Sequence, residues 1–176
     1  YLEGVGQVQA NETIGLTFAS ILRAFLRQDP EIILVGEIRD KETVDISVKA
    51  ALTGHLLLST LHTNDAVGTV VRLLNMGVPN FMISSALTLI VAQRLARRNC
   101  KVCLAPDPAA TPENLVKIGF TEEEAQTVEA KKGKGCDTCG GSGYKGRQGI
   151  YEVMKMNKAL EEAILNDAQA PELLAA

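Results

Sequence analysis

Residues 29–40 read Asp29-Pro30-Glu31-Ile32-Ile33-Leu34-Val35-Gly36-Glu37-Ile38-Arg39-Asp40. The run Ile32–Val35 is short and rich in β-branched residues, which predicts a strand buried on both faces. Glu37 follows this strand almost directly, and Asp40 is suited to cap a helix. A carboxylate on a rigid strand end can lie beside magnesium or activate water in nucleotide hydrolysis. From these residues alone, a solvent-facing acid is an equally good interpretation.

Helices and a second strand flank this segment. Upstream, a helix over 14–28 is predicted because five apolar residues share one face: Phe18, Ile21, Leu22, Phe25 and Leu26. Downstream, the pattern predicts a helix over 41–52 and a buried strand over 56–61 that ends at His62, before a third helix capped by Asn64 or Asp65. This alternation predicts a parallel α/β sheet, whose ligand site lies at the carboxyl ends of the strands. Glu37 and His62 are at those ends.

The second half of the chain changes in character. A long helix is predicted over 79–98, followed by a glycine-rich region that contains all four cysteines. One short helix is expected at about 121–131, because Thr121 and Glu124 form a capping-box pattern. A last helix is predicted over 158–167.

The cysteines form two Cys-x-x-Cys pairs, Cys100 with Cys103 and Cys136 with Cys139, separated by 32 residues. Two such pairs can supply the four thiolates of a tetrahedral Zn²⁺ shell with no open position, so a structural metal is predicted. Two disulfides and free or redox-active thiols are the alternatives. The predicted domain boundaries follow from this region: 1–99, 100–148 and 149–176.

Composition limits the classes of function. The chain has 176 residues, 46% of them hydrophobic, and a formal net charge of −3, which argues against nucleic-acid binding through overall charge. The longest mainly apolar run, residues 81–92, is shorter than the roughly 20 residues of a membrane span. No signal peptide is expected. Both ends are expected to be cut from a longer protein, because the chain starts without methionine and stops on Leu-Leu-Ala-Ala.

Several segments together resemble a known family. Residues 16–40 resemble the stretch around its Walker B strand, and residues 53–65 resemble its His box. The match continues through 73–79, 92–98, the two cysteine pairs and 146–152. On these segments the chain is similar to the type II secretion and type IV pilus-assembly ATPases, and its sequence most resembles the pilus-extension branch.

The resemblance implies a fold and an activity. The fold would be an α/β RecA-like P-loop NTPase core, a partial parallel sheet flanked by helices, with an inserted tetracysteine zinc module. The intact protein would be a cytoplasmic homo-hexamer that hydrolyses ATP with Mg²⁺ to power pilus assembly or type II secretion. It would bind an inner-membrane platform protein from the cytoplasmic side, without a transmembrane segment and without direct nucleic-acid contact.

The resemblance also implies site residues. Glu37 would be the catalytic strand-end carboxylate, and His62 would sense the γ-phosphate or orient that carboxylate. Thr60 would be a weaker nucleotide-binding candidate. Arginines that serve hydrolysis match Arg23, Arg27 and Arg39, some of them acting across a subunit boundary, and a further arginine near the nucleotide matches Arg147. Whether Glu37 or an upstream carboxylate activates water stays open.

One departure from the family matters for activity. The Gly-x-x-x-x-Gly-Lys-[Ser/Thr] loop that holds phosphates does not occur within these 176 residues. The chain alone is therefore expected to be inactive.

Two other interpretations start from the cysteines. A chaperone-like zinc domain would fit the second pair and its glycines, and a zinc-ribbon nucleic-acid module would use the basic residues around the first pair. Neither explains residues 14–65.

Overall fold

The computed structural model describes residues 2–175. The strands are β1 (Ile32–Val35), β2 (Leu56–Ser59), β3 (Leu89–Asn99), β4 (Leu104–Pro106), β5 (Lys131–Gly133) and β6 (Tyr144–Lys155). The α-helices are α1 (Phe18–Phe25), α2 (Lys41–Leu52), α3 (Ala66–Asn75), α4 (Asn80–Ala86), α5 (Pro112–Lys117), α6 (Glu122–Thr127), α7 (Lys158–Leu165) and α8 (Ala170–Ala175).

The predicted parallel pairing is present. β1 and β2 lie side by side in parallel, with Ile32 opposite Leu56 and Val35 opposite Ser59. Helix α2 connects them, as a parallel pair requires. The carboxyl ends of both strands therefore lie at the same edge of the pair, and the position of the site depends on this.

Local capping explains why α2 has the bounds predicted for it. The side chain of Asp40 accepts a hydrogen bond from the backbone N–H of Thr43 at 2.8 Å, which satisfies one of the free donors of the first turn. At the other end, Gly54 takes a φ of 103°, a conformation that favours glycine.

Helices cover only one face of the β1–β2 pair within residues 2–175. Ile33 and Val35 are buried, whereas Ile32 and Leu34 are mostly exposed. The expectation of a strand buried on both faces is thus wrong for the described part of the chain. The buried face packs into an aliphatic core that draws on helices distant in sequence. Its largest fully buried side chains are Leu22, Val44, Val70, Ile83, Leu160 and Ile164.

The long helix predicted over 79–98 is wrong. The helix α4 ends at Ala86, Leu87 takes an extended conformation, and β3 begins at Leu89. The segment after Leu87 is rich in Leu, Ile and Val, and its partner β6 lies more than forty residues further along the chain. A single segment gives no sign of such a distant partner, and its apolar residues alone do not distinguish a strand from a helix.

Other predicted bounds need smaller corrections. The helix predicted over 14–28 is an α-helix only from Phe18, because Gly15 is left-handed and Thr17 caps the helix, and a 3-10 turn follows Phe25. The second strand ends at Ser59 rather than residue 61. The helices predicted over 121–131 and 158–167 end early, at Thr127 and Leu165. Thr121 and Glu124 do form the predicted capping box, while α5 was not predicted.

The chain divides into two compact units. The first contains the residues up to Ala92 and those from Glu152 onward, and the second is Gln93–Tyr151. The β1–β2 pair belongs to the first unit and all four cysteines to the second. Among residues 2–175, no helix combines the length and the apolar character needed to cross a membrane.

The alternation of burial along β1 gives a stability prediction for the 176-residue chain. Ile33→Ala removes a core side chain and should lower the free energy of unfolding by about 2–5 kcal/mol. The matched control Ile32→Ala changes the neighbouring residue on the exposed face and should cost less than about 1 kcal/mol. Urea unfolding followed by circular dichroism measures both. Equal losses in the two variants would contradict the described burial of this strand.

Candidate functional site

The ends of β1 and β2 are tied together by a reciprocal pair of hydrogen bonds. The backbone N–H of Ile38 donates to the carbonyl of Thr60 at 3.0 Å. The Thr60 hydroxyl donates to the carbonyl of Gly36 at 2.7 Å. These contacts continue the parallel pairing past the last residues of both strands. They fix the backbone on both sides of Glu37.

Glu37 is the centre of a small polar cluster. Its Oε2 atom accepts hydrogen bonds from Nε of Arg39 at 2.5 Å and from Nε2 of His62 at 3.3 Å. The hydrogen bond from the Arg39 guanidinium lowers the pKa of Glu37 below its ordinary value, an effect that desolvation opposes and His62 assists. The carboxylate therefore stays ionised at neutral pH.

The contact with Glu37 determines that Nε2 of the His62 ring carries a proton. An ionised carboxylate only accepts hydrogen bonds, so Nε2 of His62 carries a proton in this arrangement. In the neutral ring, Nδ1 is then the unprotonated atom. The side chain is 84% exposed, so Nδ1 is open to a ligand or to solvent.

The cluster leaves one carboxylate oxygen available. Both contacts of Glu37 go to Oε2, and among residues 2–175 no partner contacts Oε1. The side chain is 24% exposed. An ionised, partly desolvated oxygen at a strand end can accept a hydrogen bond from water or contact a hydrated cation.

The structure brings only some of the predicted site residues together. Arg39 and His62 contact Glu37, and Thr60 holds its backbone. Arg23 forms an exposed ion pair with Glu42, the second residue of α2. Arg27 is exposed in the 3-10 turn that follows α1, and Arg147 is exposed on β6 in the second unit.

The four cysteines form a separate cluster in the second unit. Their sulfur atoms all lie within 4.8 Å of one another, and three of the separations are 3.8–3.9 Å. A tetrahedral shell with Zn–S bonds of about 2.3 Å has sulfurs about 3.8 Å apart. A disulfide would need about 2.05 Å, and all four thiols are free. The set fits a metal ion bound by four thiolates.

Backbone N–H groups point at these sulfurs, as a thiolate site requires. Cys139 accepts from the N–H groups of Cys136 at 3.2 Å and Gly143 at 3.3 Å. These bonds, that of Cys136 above all, lower the pKa of Cys139 to about 6 although desolvation opposes them. Burial raises the pKa of Cys103 to about 11, so its thiolate needs the charge of a bound cation.

Glycines allow the two cysteine pairs to approach. A Cβ atom on Gly133 would lie 2.0 Å from the carbonyl oxygen of Gly143, and a Cβ on Gly143 would lie 2.4 Å from that of Gly133. The same Gly143 carbonyl accepts a hydrogen bond from the N–H of Cys100 at 2.8 Å. Gly133 and Gly143 are thus a packing requirement.

One contact near the site was not predicted from the sequence. The side chain of Glu152 accepts a hydrogen bond from the N–H of Ala66, the first residue of α3, at 3.1 Å. Glu152 ends the last segment that carried the family resemblance, but nothing in its local pattern points to Ala66, 86 residues earlier.

Comparisons with known proteins bear on the fold and on the family resemblance of this chain. The family described as "Type II/IV secretion system protein" matches residues 1–175. The type IV pilus assembly ATPase PilB of Myxococcus xanthus (strain DK1622) is 53% identical over 170 residues, which are 97% of this chain and 30% of that protein. Type II secretion system protein E of Aeromonas hydrophila is 48% identical over 163 residues, 93% of this chain and 32% of that protein. The resemblance predicted from the sequence is confirmed.

A solved structure gives the same result for the fold. The crystal structure of the pilus retraction motor PilT with bound ADP matches with a TM-score of 0.56 and 31% identity, covering 87% of this chain and 34% of that one. The α/β core is therefore RecA-like, as predicted. The chain spans about a third of the length of the relatives it matches.

The Arg39–Glu37 contact predicts a titration effect. Arg39→Ala should raise the pKa of Glu37 toward its ordinary value, because the hydrogen bond and positive charge that favour the ionised form are lost. Carbon-detected NMR titration of the Glu37 carboxyl group in the 176-residue chain measures it. Arg72→Ala, an exposed arginine on α3, is the matched control and should leave the pKa of Glu37 unchanged. An unchanged or lower value in Arg39→Ala would mean that this pair does not form.

Proposed function

This chain belongs to the type II/IV secretion system protein family, and on that premise we propose that its full protein is an ATPase that powers type IV pilus assembly or type II secretion. The observation that carries the proposal is the meeting of Glu37 and His62 at the carboxyl ends of two adjacent parallel strands. Ligands bind at this edge of parallel α/β sheets.

We propose distinct roles for the residues of the cluster. Glu37 uses its free oxygen to orient the attacking water or a water of the Mg²⁺ shell. His62 holds the other oxygen of that carboxylate and senses the γ-phosphate with its exposed ring. Arg39 keeps the carboxylate ionised between turnovers and offers positive charge for the transition state. Thr60 serves the site by fixing the Gly36 backbone, and it stays the weaker candidate for a direct nucleotide contact.

The remaining arginines are assigned to charge stabilisation. Arg23 and Arg27 are exposed near the end of α1, so they are available to a nucleotide on a neighbouring subunit. Arg147 is proposed to lie near the nucleotide in the assembled protein. A guanidinium supplied across a subunit boundary can be worth about 10³–10⁵ in rate. Arginines that act on the nucleotide of a neighbouring subunit require a ring of subunits, and we propose a homo-hexamer.

The proposed setting follows from the relatives. Proteins that match this chain carry names of pilus-assembly and secretion ATPases. We propose that the full protein works on the cytoplasmic face of the inner membrane, bound to a platform protein of such a machine. Family membership over residues 1–175 makes a chaperone-like or nucleic-acid-binding zinc domain the weaker alternative.

We assign the cysteine cluster to one structural Zn²⁺ per chain. The residues that would hold it are Cys100, Cys103, Cys136 and Cys139, and their sulfur separations suit a closed tetrahedral shell. Four sulfurs leave no position for water or substrate. The metal would therefore stabilise the fold of the second unit and take no part in hydrolysis.

The role of Glu37 is tested by Glu37→Gln in the full-length protein. The variant keeps the shape of the side chain and removes its charge, so ATP should still bind while turnover falls by at least about 100-fold. Steady-state ATPase assays and calorimetric titration with Mg²⁺–ATP measure the two effects. Near-normal turnover would assign the chemistry to a different carboxylate. Glu31→Gln changes an exposed residue immediately before β1; it is the matched control and should leave turnover unchanged.

The isolated 176-residue chain serves as a second control. It contains no phosphate-binding loop, so calorimetry should detect no micromolar ATP binding and assays no hydrolysis. Turnover by this chain alone would mean that the nucleotide site lies elsewhere.

The zinc assignment is tested by removing one cysteine pair. Cys136→Ser with Cys139→Ser should abolish zinc binding and increase amide hydrogen exchange over 100–148, because metal binding supplies much of the local folding free energy. Exchange in β1 and β2 should change little, since those strands have their own core. Thr138→Ala, between the two cysteines, is the control and should retain about one zinc per chain by elemental analysis. A metal-free chain with two disulfides and native exchange would overturn the assignment.

A further inference from the structure

We propose that Glu152 is a positioning residue for hydrolysis, which acts through the start of α3 on His62. The inference rests on the proposed function, because it takes His62 to be part of the hydrolytic site. Glu152 touches no reacting group. Its contact is with the backbone of Ala66.

The first step concerns the N-terminus of α3. The first turn of a helix has backbone N–H groups without partners inside the helix, and its positive end favours carboxylates. Asp65 accepts from the N–H of Gly68 at 2.6 Å, and Glu152 accepts from the N–H of Ala66 at 3.1 Å. Ala66 itself is fully buried. The local cap leaves the N–H of Ala66 for a side chain that arrives from elsewhere, and Glu152 supplies it.

The second step concerns the segment between β2 and α3. Residues 60–65 join the strand to the helix, with His62 in the middle. Thr60 is bound to β1 at one end, through Gly36 and Ile38. Thr63 is bound to α3 at the other end, because its hydroxyl lies 2.8 Å from that of Thr69. The position of His62 therefore depends on where both ends of the segment are held.

The third step concerns what holds His62 itself. Its side chain is 84% exposed, and among residues 2–175 its one polar contact is Glu37 at 3.3 Å. Little packing restrains such a ring. A shift of α3 would move His62 relative to Glu37, and reacting groups lose rate steeply when they move by as little as about 1 Å. Glu152 joins α3 to β6, so it restrains that shift.

Variants of the full-length protein test the inference by their effects on kcat and KM. Glu152→Ala should lower kcat by about 10-fold and leave the KM for ATP within about twofold, because the residue orders a catalytic group and binds no phosphate. Glu152→Gln keeps an oxygen acceptor for the Ala66 N–H and should retain most of the activity. Glu162→Ala, an exposed glutamate on α7, is the matched control and should behave as the unmodified protein.

A double-mutant cycle with His62→Ala separates positioning from general stability. If Glu152 acts through His62, Glu152→Ala should add little to the loss already caused by His62→Ala. Equal, additive losses on both backgrounds would overturn the inference. If Glu152→Ala fails to assemble, Glu152→Asp replaces it in the cycle. The shorter side chain withdraws the carboxylate from Ala66, so its kcat should fall below that of Glu152→Gln.

The outcomes also distinguish this inference from the proposed function. A loss in His62→Ala with normal kcat in Glu152→Ala would overturn the role of Glu152 alone. Normal kcat in His62→Ala would overturn both the role of His62 and the inference that rests on it.

Discussion

The parallel pairing of β1 with β2 is the constraint from which the geometry of the site follows. A parallel pair places both carboxyl ends at one edge, and it needs a crossover helix, which α2 provides. The regular β1–β2 pairing ends where Val35 lies opposite Ser59. The Thr60 hydroxyl and the Ile38 N–H extend it, to Ile38 on one side and to Thr60 on the other. That extension brings Glu37 and His62, 25 residues apart in sequence, within hydrogen-bonding distance.

The electrostatic environments of the Glu37 carboxylate and of the four cysteine thiols differ. Glu37 must keep a negative charge while partly withdrawn from water, and a neighbouring arginine on the same strand end stabilises it without occupying both oxygens. The cysteine cluster holds four thiols in a small volume, where backbone N–H groups lower the pKa of Cys139 and burial raises the pKa of Cys103. A cation among the sulfurs would stabilise all four thiolates together. Among residues 2–175, Oε1 of Glu37 is thus left without a hydrogen-bond partner, whereas the four sulfurs lie close enough to one another to share one metal ion.

Local signals in the sequence were enough for part of this structure. β1 and α2 have the predicted bounds, because an aliphatic run, the Asp40 cap and Gly54 are all signals contained within a few residues. The helix predicted over 79–98 failed because β3 exists through its pairing with β6, and no window of sequence contains both strands. Burial was mispredicted for the same type of reason. The exposure of Ile32 depends on which elements pack on each face of the pair, and the residue itself suits either outcome.

The same limit applies to the site. Its motif residues can be identified from the sequence, but the contacts that hold them in place cannot. Glu37 and His62 belong to segments with a recognisable sequence pattern, and the four cysteines are identified by their Cys-x-x-Cys spacing. The bonds that set their geometry join Thr60 to Gly36 and Glu152 to Ala66, across 24 and 86 residues. Threonine and glutamate at these positions look like ordinary polar residues of a strand end and an exposed strand. A hydrogen bond of this kind depends on how the chain folds back on itself, so only the three-dimensional structure assigns it a partner. A side chain at the end of a rigid strand has its own backbone fixed by that strand, so its geometry toward a partner depends mainly on the bonds that hold the segment opposite, here those of Thr60 and Thr63.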